Sequence, residues 1–573
     1  MTAPQKNTRP SAMKRYGPLI GIVVVIAIVG IVIAVMSGGS DDDKSASTGG
    51  GDGTTAVKGL PLTYDEAKAE GTEDSVAWGP NCNTDLGQVK IPSVYAPSCV
   101  EPYDEAKGNG GETYAGVTED TITIVYYIAD PKLDPLLASQ VSAAGADITP
   151  DATFRTAEGF SSIYEQIFEL WGRKVNLVKF VGSGASTDAV SAKADAVQIA
   201  SDYDPFAVIG APSQTSAFRD ELASRDILCL GDCAGAVPEA QSKEIGKGLL
   251  FWPFGPSPEQ ASMQTAAMVC SQFKNGNAVY GGDDVKNKKR VYGIAHYDTP
   301  TGDQANTYKV LRDELEDCGI KIATDVTFFL DTAKSQEIAR TTIAKLQDAD
   351  VTSIIFLGDP LNPIFMTGEA TAQEYFPEWI IGPTVYVDTT VFGRRYDQQQ
   401  WQHAFGIGLP ATRADQASQE SFAMYQWGLG EKPPSNLYSI INANIGLAYR
   451  AIQLAGPNLT AETIRGGLYA EPVRGGGPTT PRVSRGEHGL WPSLDNYGSD
   501  DATIIWWNPD AEGTDDIGNK GTGMYEYADD GKRYTLKGWP DTKVKLFDDS
   551  TSVTIFDTLP KSDQPPDYPS LVG

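Results

Sequence analysis

The chain has 573 residues, of which 41% are hydrophobic and 21% charged; this length suffices for several domains or for one large two-lobed unit with additions. The composition excludes a wholly disordered, collagenous or multi-span membrane protein. Acidic residues outnumber basic ones by 75 to 46, and the net charge of −29 repels phosphate backbones, so we expect no nucleic-acid partner.

The first predicted element is a membrane anchor. Residues 19–36 contain only apolar residues and glycine, and a helix of that length extends about 27 Å, which is enough to cross the hydrocarbon core of a membrane. Basic residues precede this segment and the acidic residues 41–43 follow it, a charge distribution that keeps the N-terminus in the cytoplasm. We therefore expect a cytoplasmic stub at 1–18, an anchor at 19–36 and an extracytoplasmic body.

A cleaved signal peptide is the alternative interpretation of the same segment. The apolar run is longer than the 7–15 residues typical of the apolar region of a signal peptide, and residues 35–39 (VMSGG) lack a clean small-x-small cleavage pattern. Both observations favour an uncleaved, single-pass signal anchor in the cell membrane. Residues 37–57 are rich in Gly, Ser, Thr and Asp and predict a flexible linker.

Six cysteines occur in the predicted extracytoplasmic body, where disulfide bonds are the default. Cys82 and Cys99 lie in a segment rich in Pro and Gly, where a disulfide would stabilise the chain most. Cys270 ends one predicted helix and Cys318 another, so a bridge between helices is expected. The remaining two cysteines either pair across a tight turn or stay buried, because spacing alone does not fix the connectivity.

Short apolar, β-branched runs alternate with amphipathic helical patterns through the middle of the chain. This alternation is typical of βαβ units and parallel sheets. A Pro-rich break near 253–258 separates two such series, which predicts two α/β lobes. The predicted strands are residues 121–129, 175–181, 206–210, 227–231, 290–296, 320–330, 353–358 and 379–383.

These patterns divide the body into segments. Residues 404–409 predict a second crossing between the lobes. We assign a Cys-containing pre-domain to residues 58–115, the first lobe to 116–250 plus 384–470, the second lobe to 251–383, and a β-rich C-terminal appendage to 471–573.

Four short motifs, in order and spacing, resemble one family. They are GVTEDTITI at 116–124, FAVIG at 206–210, DILCL at 226–230, and FWPF at 251–254 followed by PEQ at 258–260. This series resembles the type I periplasmic binding proteins of the leucine/isoleucine/valine-binding group, the solute-binding proteins of ABC transporters in bacteria. The resemblance extends over roughly residues 116–470.

The resemblance implies two Rossmann-like lobes, a multi-strand hinge and a ligand cleft between the lobes. It also implies capture of a small solute, an amino acid, an amide or a small carboxylate, for an ABC permease in the membrane. A ligand-sensing receptor with the same fold is the alternative function. Since the chain has no G-x-S-x-G elbow, P-loop or H-E-x-x-H motif, we predict a binding protein and not an enzyme.

The first candidate ligand-binding loop is residues 210–216, which follows a strand and opens a helix. Ligands of α/β sheets bind at the carboxyl ends of strands, and a helix N-terminus favours an anion. Ser213, Gln214 and Thr215 add side-chain donors, and the resemblance implies that this loop holds a ligand carboxylate. Ordinary helix capping is the alternative role for these residues.

The second candidate loop is residues 231–236. The resemblance implies that small residues and backbone groups here contact the ligand. Asp232, Cys233 and Ala234 are the candidates, although Asp232 and Cys233 depart from the Ser/Pro/Ala pattern of the family. A tight turn is the alternative reason for the glycines of this loop.

The second lobe and the crossing contribute the remaining candidates. Asp359 follows a predicted strand and could pair with an amine or cap a helix. The family often carries an aromatic residue at the position that Thr301 occupies, and Tyr297 lies nearby as a substitute. Phe254 and Tyr386 add aromatic surface for a larger or more apolar solute.

No cofactor or metal is predicted. Residues 182–187 (GSGAST) follow a strand like a dinucleotide-binding loop, but the third glycine of that fingerprint is replaced and the expected acidic residue is missing. The three His and six Cys have no ligand-like spacing.

Overall fold

The computed structural model describes residues 57–134, 138, 149–212, 215–233, 237–298, 304–331, 333–384 and 386–572. The predicted cytoplasmic stub, the membrane anchor at 19–36 and all but the last residue of the linker lie outside these residues. Within the described ranges, none of the helices combines the length and the apolar character needed to cross a membrane.

The described residues form helices and strands throughout the body. In chain order the α-helices are α1 (Tyr64–Glu70), α2 (Pro150–Ile167), α3 (Ala189–Tyr203), α4 (Ala217–Ala223), α5 (Glu239–Glu244), α6 (Pro258–Met268), α7 (Ala305–Asp317), α8 (Ser335–Asp348), α9 (Asn362–Ala372), α10 (Thr390–Gly393), α11 (Gln398–Trp401), α12 (Glu420–Leu429), α13 (Tyr438–Ala455) and α14 (Ala461–Ala470). The strands are β1 (Cys82–Asn83), β2 (Gln88–Val89), β3 (Thr121–Ile128), β4 (Lys174–Val181), β5 (Ala207–Ile209), β6 (Leu228–Leu230), β7 (Phe251–Trp252), β8 (Tyr292–Tyr297), β9 (Ile322–Phe328), β10 (Ser353–Leu357), β11 (Glu378–Ile381), β12 (Ala404–Gly408), β13 (Arg413–Ala414), β14 (Asp501–Thr514), β15 (Lys520–Ala528), β16 (Arg533–Thr535), β17 (Ser552–Val553) and β18 (Ile555–Phe556).

The first lobe is a parallel sheet covered on both faces. Its strand order is β4-β3-β5-β6-β7, and every pair is parallel, as the βαβ pattern predicts. Alternate residues of β3 enter two different cores because successive side chains of a strand point to opposite faces. Ile124 packs with α2 and α13, whereas Val125 packs with α3 and α4.

The second lobe has a larger, mixed sheet. Five parallel strands follow the order β9-β8-β10-β11-β12. Strand β14 then pairs with β12 in the antiparallel sense, and β15 pairs with β14. The β-rich C-terminal segment therefore continues the sheet of the second lobe.

The boundary of the second lobe differs from the predicted one. Residues 384–403 belong with this lobe, because Phe392 of α10 and Trp401 of α11 lie in its core with Trp379. Strand β12, predicted as a crossing, is a fully buried strand of the sheet. The second crossing begins only after Gly408.

The pre-domain packs onto the first lobe. Val89, Ile91 and Val100 join the core that contains β3 and α13. Asn81 donates to the final carbonyl groups of α2, at Gln166 and Ile167, and so satisfies carbonyls that a helix end leaves unpaired.

All six cysteines form disulfides. Cys82–Cys99 closes the pre-domain and Cys270–Cys318 joins the end of the α6 region to the end of α7, so both predicted pairs are confirmed. Cys229 and Cys233 also pair, which decides between the two alternatives left open above.

Three chain segments cross between the lobes, at residues 253–257, 409–419 and 471–500. Arg533 ties the second and third of these together. It forms an ion pair with Asp501 (Nε to Oδ1, 2.8 Å), in which both side chains are buried, and it donates to the carbonyls of Leu409 and Pro410. The hinge is therefore a packed, hydrogen-bonded region.

The C-terminal tail returns from the second lobe to the first. Strand β18 pairs with β13 beside the second crossing, and the buried Asp563 accepts hydrogen bonds from the N–H (2.6 Å) and hydroxyl (2.7 Å) of Thr479 in the third crossing. Trp427 of α12 then donates to the carbonyl of Tyr568, whose hydroxyl accepts from Asn83. The tail is thus fixed to both the hinge and the first lobe.

Candidate functional site

The carboxyl ends of the parallel strands identify the candidate site. In the first lobe, β5 and β6 lead into residues 210–216 and 231–236; in the second, β11 leads into 382–389. Open α/β sheets bind ligands at this edge. The most informative side chains at these edges are Asp232 and Tyr386, both predicted from the sequence.

The backbone of Asp232 is held firmly in place. Gly231 has a φ of 68°, and the Asp232 N–H donates to Oδ1 of the buried Asn444 on α13 (2.7 Å). The adjacent disulfide between Cys229 and Cys233 closes the same turn. Asp232 therefore occupies a preorganised position at the end of β6.

Tyr126 of the first lobe and Tyr386 of the second lie close to Asp232. Burial is the main cause that raises the pKa of both phenols, and the Asp232 carboxylate raises the pKa of each further. The carboxylate of one lobe therefore lies near the aromatic side chain of the other. Tyr386 has a φ of 62° and is 42% exposed, so this large side chain remains accessible in a backbone conformation that non-glycine residues rarely adopt.

Asp232 is accessible to water, yet the surrounding protein is dense enough that desolvation raises its pKa. The Asp232 side chain, Tyr126 and Tyr386 define what we call the interlobe cluster.

The other predicted site residues have local structural roles or lie elsewhere. The Thr215 hydroxyl accepts from the N–H of Ala217 (3.2 Å), which is a local turn interaction at the start of α4. Asp359 accepts from the N–H groups of Leu361 and Asn362 (2.8 and 2.9 Å) and from the Asn362 amide, so its carboxylate is engaged at the start of α9.

Cys233 is fully buried and forms a disulfide with Cys229, so its side chain is not available to a ligand. Tyr297 is the last residue of β8, at the same sheet edge as Asp359 and Tyr386. Phe254 lies in the first crossing and is 37% exposed. Ser213, Gln214, Ala234 and Thr301 lie outside the described residues.

Sequence reasoning missed Tyr126 and Asn444. Tyr126 lies near the carboxyl end of β3, the second strand of the sheet, and the strand-end rule that selected the loops would have found it if applied to the strand itself. Asn444 lies in the middle of α13, more than 200 residues from Asp232, and an amide in an apolar helix was the only available signal. No group of three or more His, Cys, Asp or Glu within the described ranges is arranged to hold a metal ion.

The fold is that of the periplasmic solute-binding proteins of ABC transporters. No family model and no curated protein matches the chain by sequence, whereas solved structures match in fold. With the leucine-, isoleucine-, valine-, threonine- and alanine-binding protein of Brucella ovis, in its closed conformation, the TM-score is 0.50 at 11% identity, over 74% of this chain and 97% of that one.

Two further structures illustrate the range of similar proteins. A solute-binding protein of Rhodopseudomonas palustris in complex with p-hydroxybenzoic acid gives a TM-score of 0.49 at 12% identity and covers 74% of this chain and 98% of its own. A branched-chain amino acid transporter substrate-binding protein of Streptococcus pneumoniae, in complex with isoleucine, gives 0.46 at 12% identity, over 71% and 100%. The two-lobed α/β fold that the resemblance implied is confirmed.

Proposed function

We propose that this chain is an extracytoplasmic solute-binding protein that captures an amino acid, an amide or a small carboxylate between its lobes and delivers it to an ABC-type importer. The observation that carries this proposal is the two-lobed α/β fold, in which strands β5 and β6 of the first lobe and β11 of the second end in loops at the edge of each sheet where α/β proteins bind their ligands. The Brucella ovis protein that shares this fold is a leucine-, isoleucine-, valine-, threonine- and alanine-binding protein.

Lobe closure is the mechanism that follows from this geometry. A solute in contact with both lobes binds the closed conformation more tightly than the open one, and only this difference in affinity shifts the population. The importer then recognises the closed shape. The predicted anchor at residues 19–36 keeps the body near the membrane and raises its effective concentration at the permease.

A thermal-shift screen tests the binding function. The extracytoplasmic body, residues 57–573, is screened against amino acids, amides and small carboxylates, and hits are measured by calorimetric titration. We expect at least one saturable ligand, whose affinity falls when Ser213 and Thr215 are changed to Ala. Chemical turnover of a hit, or the absence of any hit across the three classes, would contradict the proposal.

Membrane attachment is tested separately. The full chain should sediment with membranes and remain there after a high-salt wash, whereas a variant lacking residues 1–36, secreted through a cleavable signal, should be released. Recovery of the full chain in the soluble fraction with a new N-terminus after residue 36 would support the cleaved-signal alternative instead.

A further inference from the structure

Residues 386–389 form a turn at the carboxyl edge of the second lobe, and one side chain of this turn reaches the surface. Tyr386 is 42% exposed, whereas Val387, Asp388 and Thr389 are buried. Thr389 closes the turn by donating its N–H (3.1 Å) and its hydroxyl (2.6 Å) to the carbonyl of Tyr386. A displacement of Tyr386 therefore acts directly on buried residues.

Asp388 connects the 386–389 turn to the hinge. Its Oδ2 accepts the N–H of Leu409 at 2.9 Å. Leu409 follows the last residue of β12 and is the first residue of the second crossing. The hydrogen bond therefore joins the turn at the cleft edge to the point where the crossing leaves the sheet.

Arg533 holds the same part of the crossing from its other side. It donates to the carbonyls of Leu409 (3.0 Å) and Pro410 (3.3 Å), and it pairs with Asp501 at the start of β14. A continuous series of hydrogen bonds thus runs from Asp388 through Leu409 and Arg533 to the end of the third crossing. Connected series of this kind carry energetic coupling between sites.

A second anchor of the 386–389 turn leads away from the hinge. The hydroxyl of Tyr525 donates to the carbonyl of Val387 (2.8 Å) and accepts from Nε1 of Trp401 (3.0 Å). Tyr525 and Trp401 belong to the core of the second lobe. The turn is thus held to the rigid sheet by Tyr525 and to the crossing by Asp388.

The position of Leu409 gives this second link its importance. Domain closure is absorbed by a few residues at the ends of structural elements, whose backbone angles change. Leu409 is at such an end, with its N–H held by Asp388 and its carbonyl held by Arg533. Rotation of its backbone must either break these hydrogen bonds or move the 386–389 turn as well.

We propose that Asp388 is a positioning residue that couples the 386–389 turn to the second crossing, so that a solute resting on Tyr386 stabilises the closed arrangement of the hinge. Asp388 acts through the N–H of Leu409 and does not touch the solute. This inference rests on the proposed function and adds the connection by which one edge of the cleft controls the hinge.

Amide exchange at Leu409 tests the link in the full chain, purified in detergent, without any ligand. Asp388→Ala removes the acceptor and should speed hydrogen–deuterium exchange at Leu409 about 5- to 10-fold, as expected for loss of one hydrogen bond. Asp388→Asn keeps an oxygen that accepts the N–H and should restore slow exchange. Tyr525→Phe is the matched control, because it removes the other anchor of the turn and should leave Leu409 protected.

A change at Tyr386 tests whether the cleft edge reaches the crossing through Asp388. Tyr386→Ala removes the ring that stacks on Phe392, with centroids 6.4 Å apart. Loosening the turn in this way should speed exchange at Leu409 about 2- to 5-fold. In the Asp388→Ala background the same substitution should have no further effect, because the link is already broken.

The distance between the lobes supplies an independent measurement. Spin labels are placed at Lys193→Cys on α3 and Lys345→Cys on α8, both exposed positions. Since all six native cysteines are paired, only the introduced ones react. Electron–electron double resonance should give the same distance distribution for the wild type and Asp388→Asn, and a broader one for Asp388→Ala.

The outcomes separate this inference from the proposed function. Unchanged exchange or an unchanged distance distribution in Asp388→Ala, or additive effects with Tyr386→Ala, would overturn the coupling and leave the solute-binding function intact. Equal losses in Asp388→Asn and Asp388→Ala would also overturn it, because they would show that the carboxylate does not act as an acceptor. A protein that shows the coupling but binds nothing in the solute screen would overturn the proposed function alone.

Discussion

A substitution at Gly231 tests how the Asp232 loop is built. A Cβ on Gly231 would lie 2.0 Å from Oδ1 of Asn444, and the backbone there has a φ of 68°. Gly231→Ala therefore combines two effects. The alanine must adopt a left-handed conformation, and Asn444 must move away from the position where it accepts the Asp232 N–H.

The two effects have separable magnitudes. A left-handed conformation costs about 1–2 kcal/mol for a residue with a Cβ, and loss of the hydrogen bond from Asp232 costs roughly 1 kcal/mol. We expect Gly231→Ala to lower the free energy of unfolding by about 2–3 kcal/mol. Asn444→Ala should lower it by about 1–3 kcal/mol, because it leaves the Asp232 N–H without its acceptor.

A double-mutant cycle shows whether Asn444 is the cause. In Gly231→Ala/Asn444→Ala the new methyl group no longer meets the amide, and the hydrogen bond is lost only once. The double variant should therefore be less destabilised than the sum of the single variants, by about 1 kcal/mol. Urea unfolding followed by tryptophan fluorescence measures all four proteins.

Additive effects would refute this account of the loop. They would mean that Gly231→Ala acts through backbone strain alone and that Asn444 does not position Asp232. Gly467→Ala is a useful comparison, because its new Cβ would meet the carbonyl of Leu454 at 2.4 Å and not an amide side chain; its cost should not be relieved by Asn444→Ala.

Two further predictions concern the hinge. Arg533→Met removes the counter-charge of the buried Asp501 and should cost about 3–5 kcal/mol of unfolding free energy. Arg533→Met/Asp501→Asn should recover part of that loss, and equal stability of the two variants in urea would contradict this. Burial raises the pKa of Asp495 to about 7, above the value of 3.8 for an unperturbed carboxyl. Because the folded protein favours the protonated carboxyl, the contribution of Asp495 to stability is fully present below about pH 4 and is lost as the pH rises to about 7. The total loss is at most roughly 4 kcal/mol of unfolding free energy. Asp495→Asn should flatten the unfolding free energy over that range, and an unchanged pH profile would exclude Asp495 as its source.

Local pattern predicted most of the first lobe. The β-branched run at 121–129 corresponds to Thr121–Ile128, and 175–181 corresponds to Lys174–Val181. These strands could be predicted from the sequence because their hydrophobic pattern and their β-branched residues agree with the buried positions that they occupy. The helix predicted over 154–171 instead begins at Pro150, because Thr149 caps it and Pro favours the first turn.

Pairing between distant segments was not accessible from pattern. Strand β12 is a short apolar run with two glycines, and such a run looks the same in a crossing and in the middle of a sheet. Its neighbour β14 begins 93 residues after β12 ends, and the antiparallel pairing of the two depends on the fold of the whole lobe. The lobe boundary at 383 was misplaced for this reason.

In the candidate site, too, local sequence pattern predicted some residues, whereas contacts between distant residues could not be predicted. The end of a strand selected the loop that contains Asp232, because the carboxyl edge of a parallel sheet is fixed by the direction of its strands. Tyr386 was a candidate only as aromatic surface for a larger solute. Pattern could not show that Asp359 is engaged by α9, or that Asn444 supports the Asp232 loop. Both depend on side-chain hydrogen bonds, and the second of these joins residues far apart in the chain.

The C-terminal tail adds a fourth link between the lobes, beyond the three crossings. It leaves the second lobe after β17, contacts the hinge through Asp563, and is held on the first lobe at Trp427. A segment of fixed length that is attached to both lobes restricts the distance to which the lobes can open, even without a bound solute. The tail therefore limits how far the two lobes can separate.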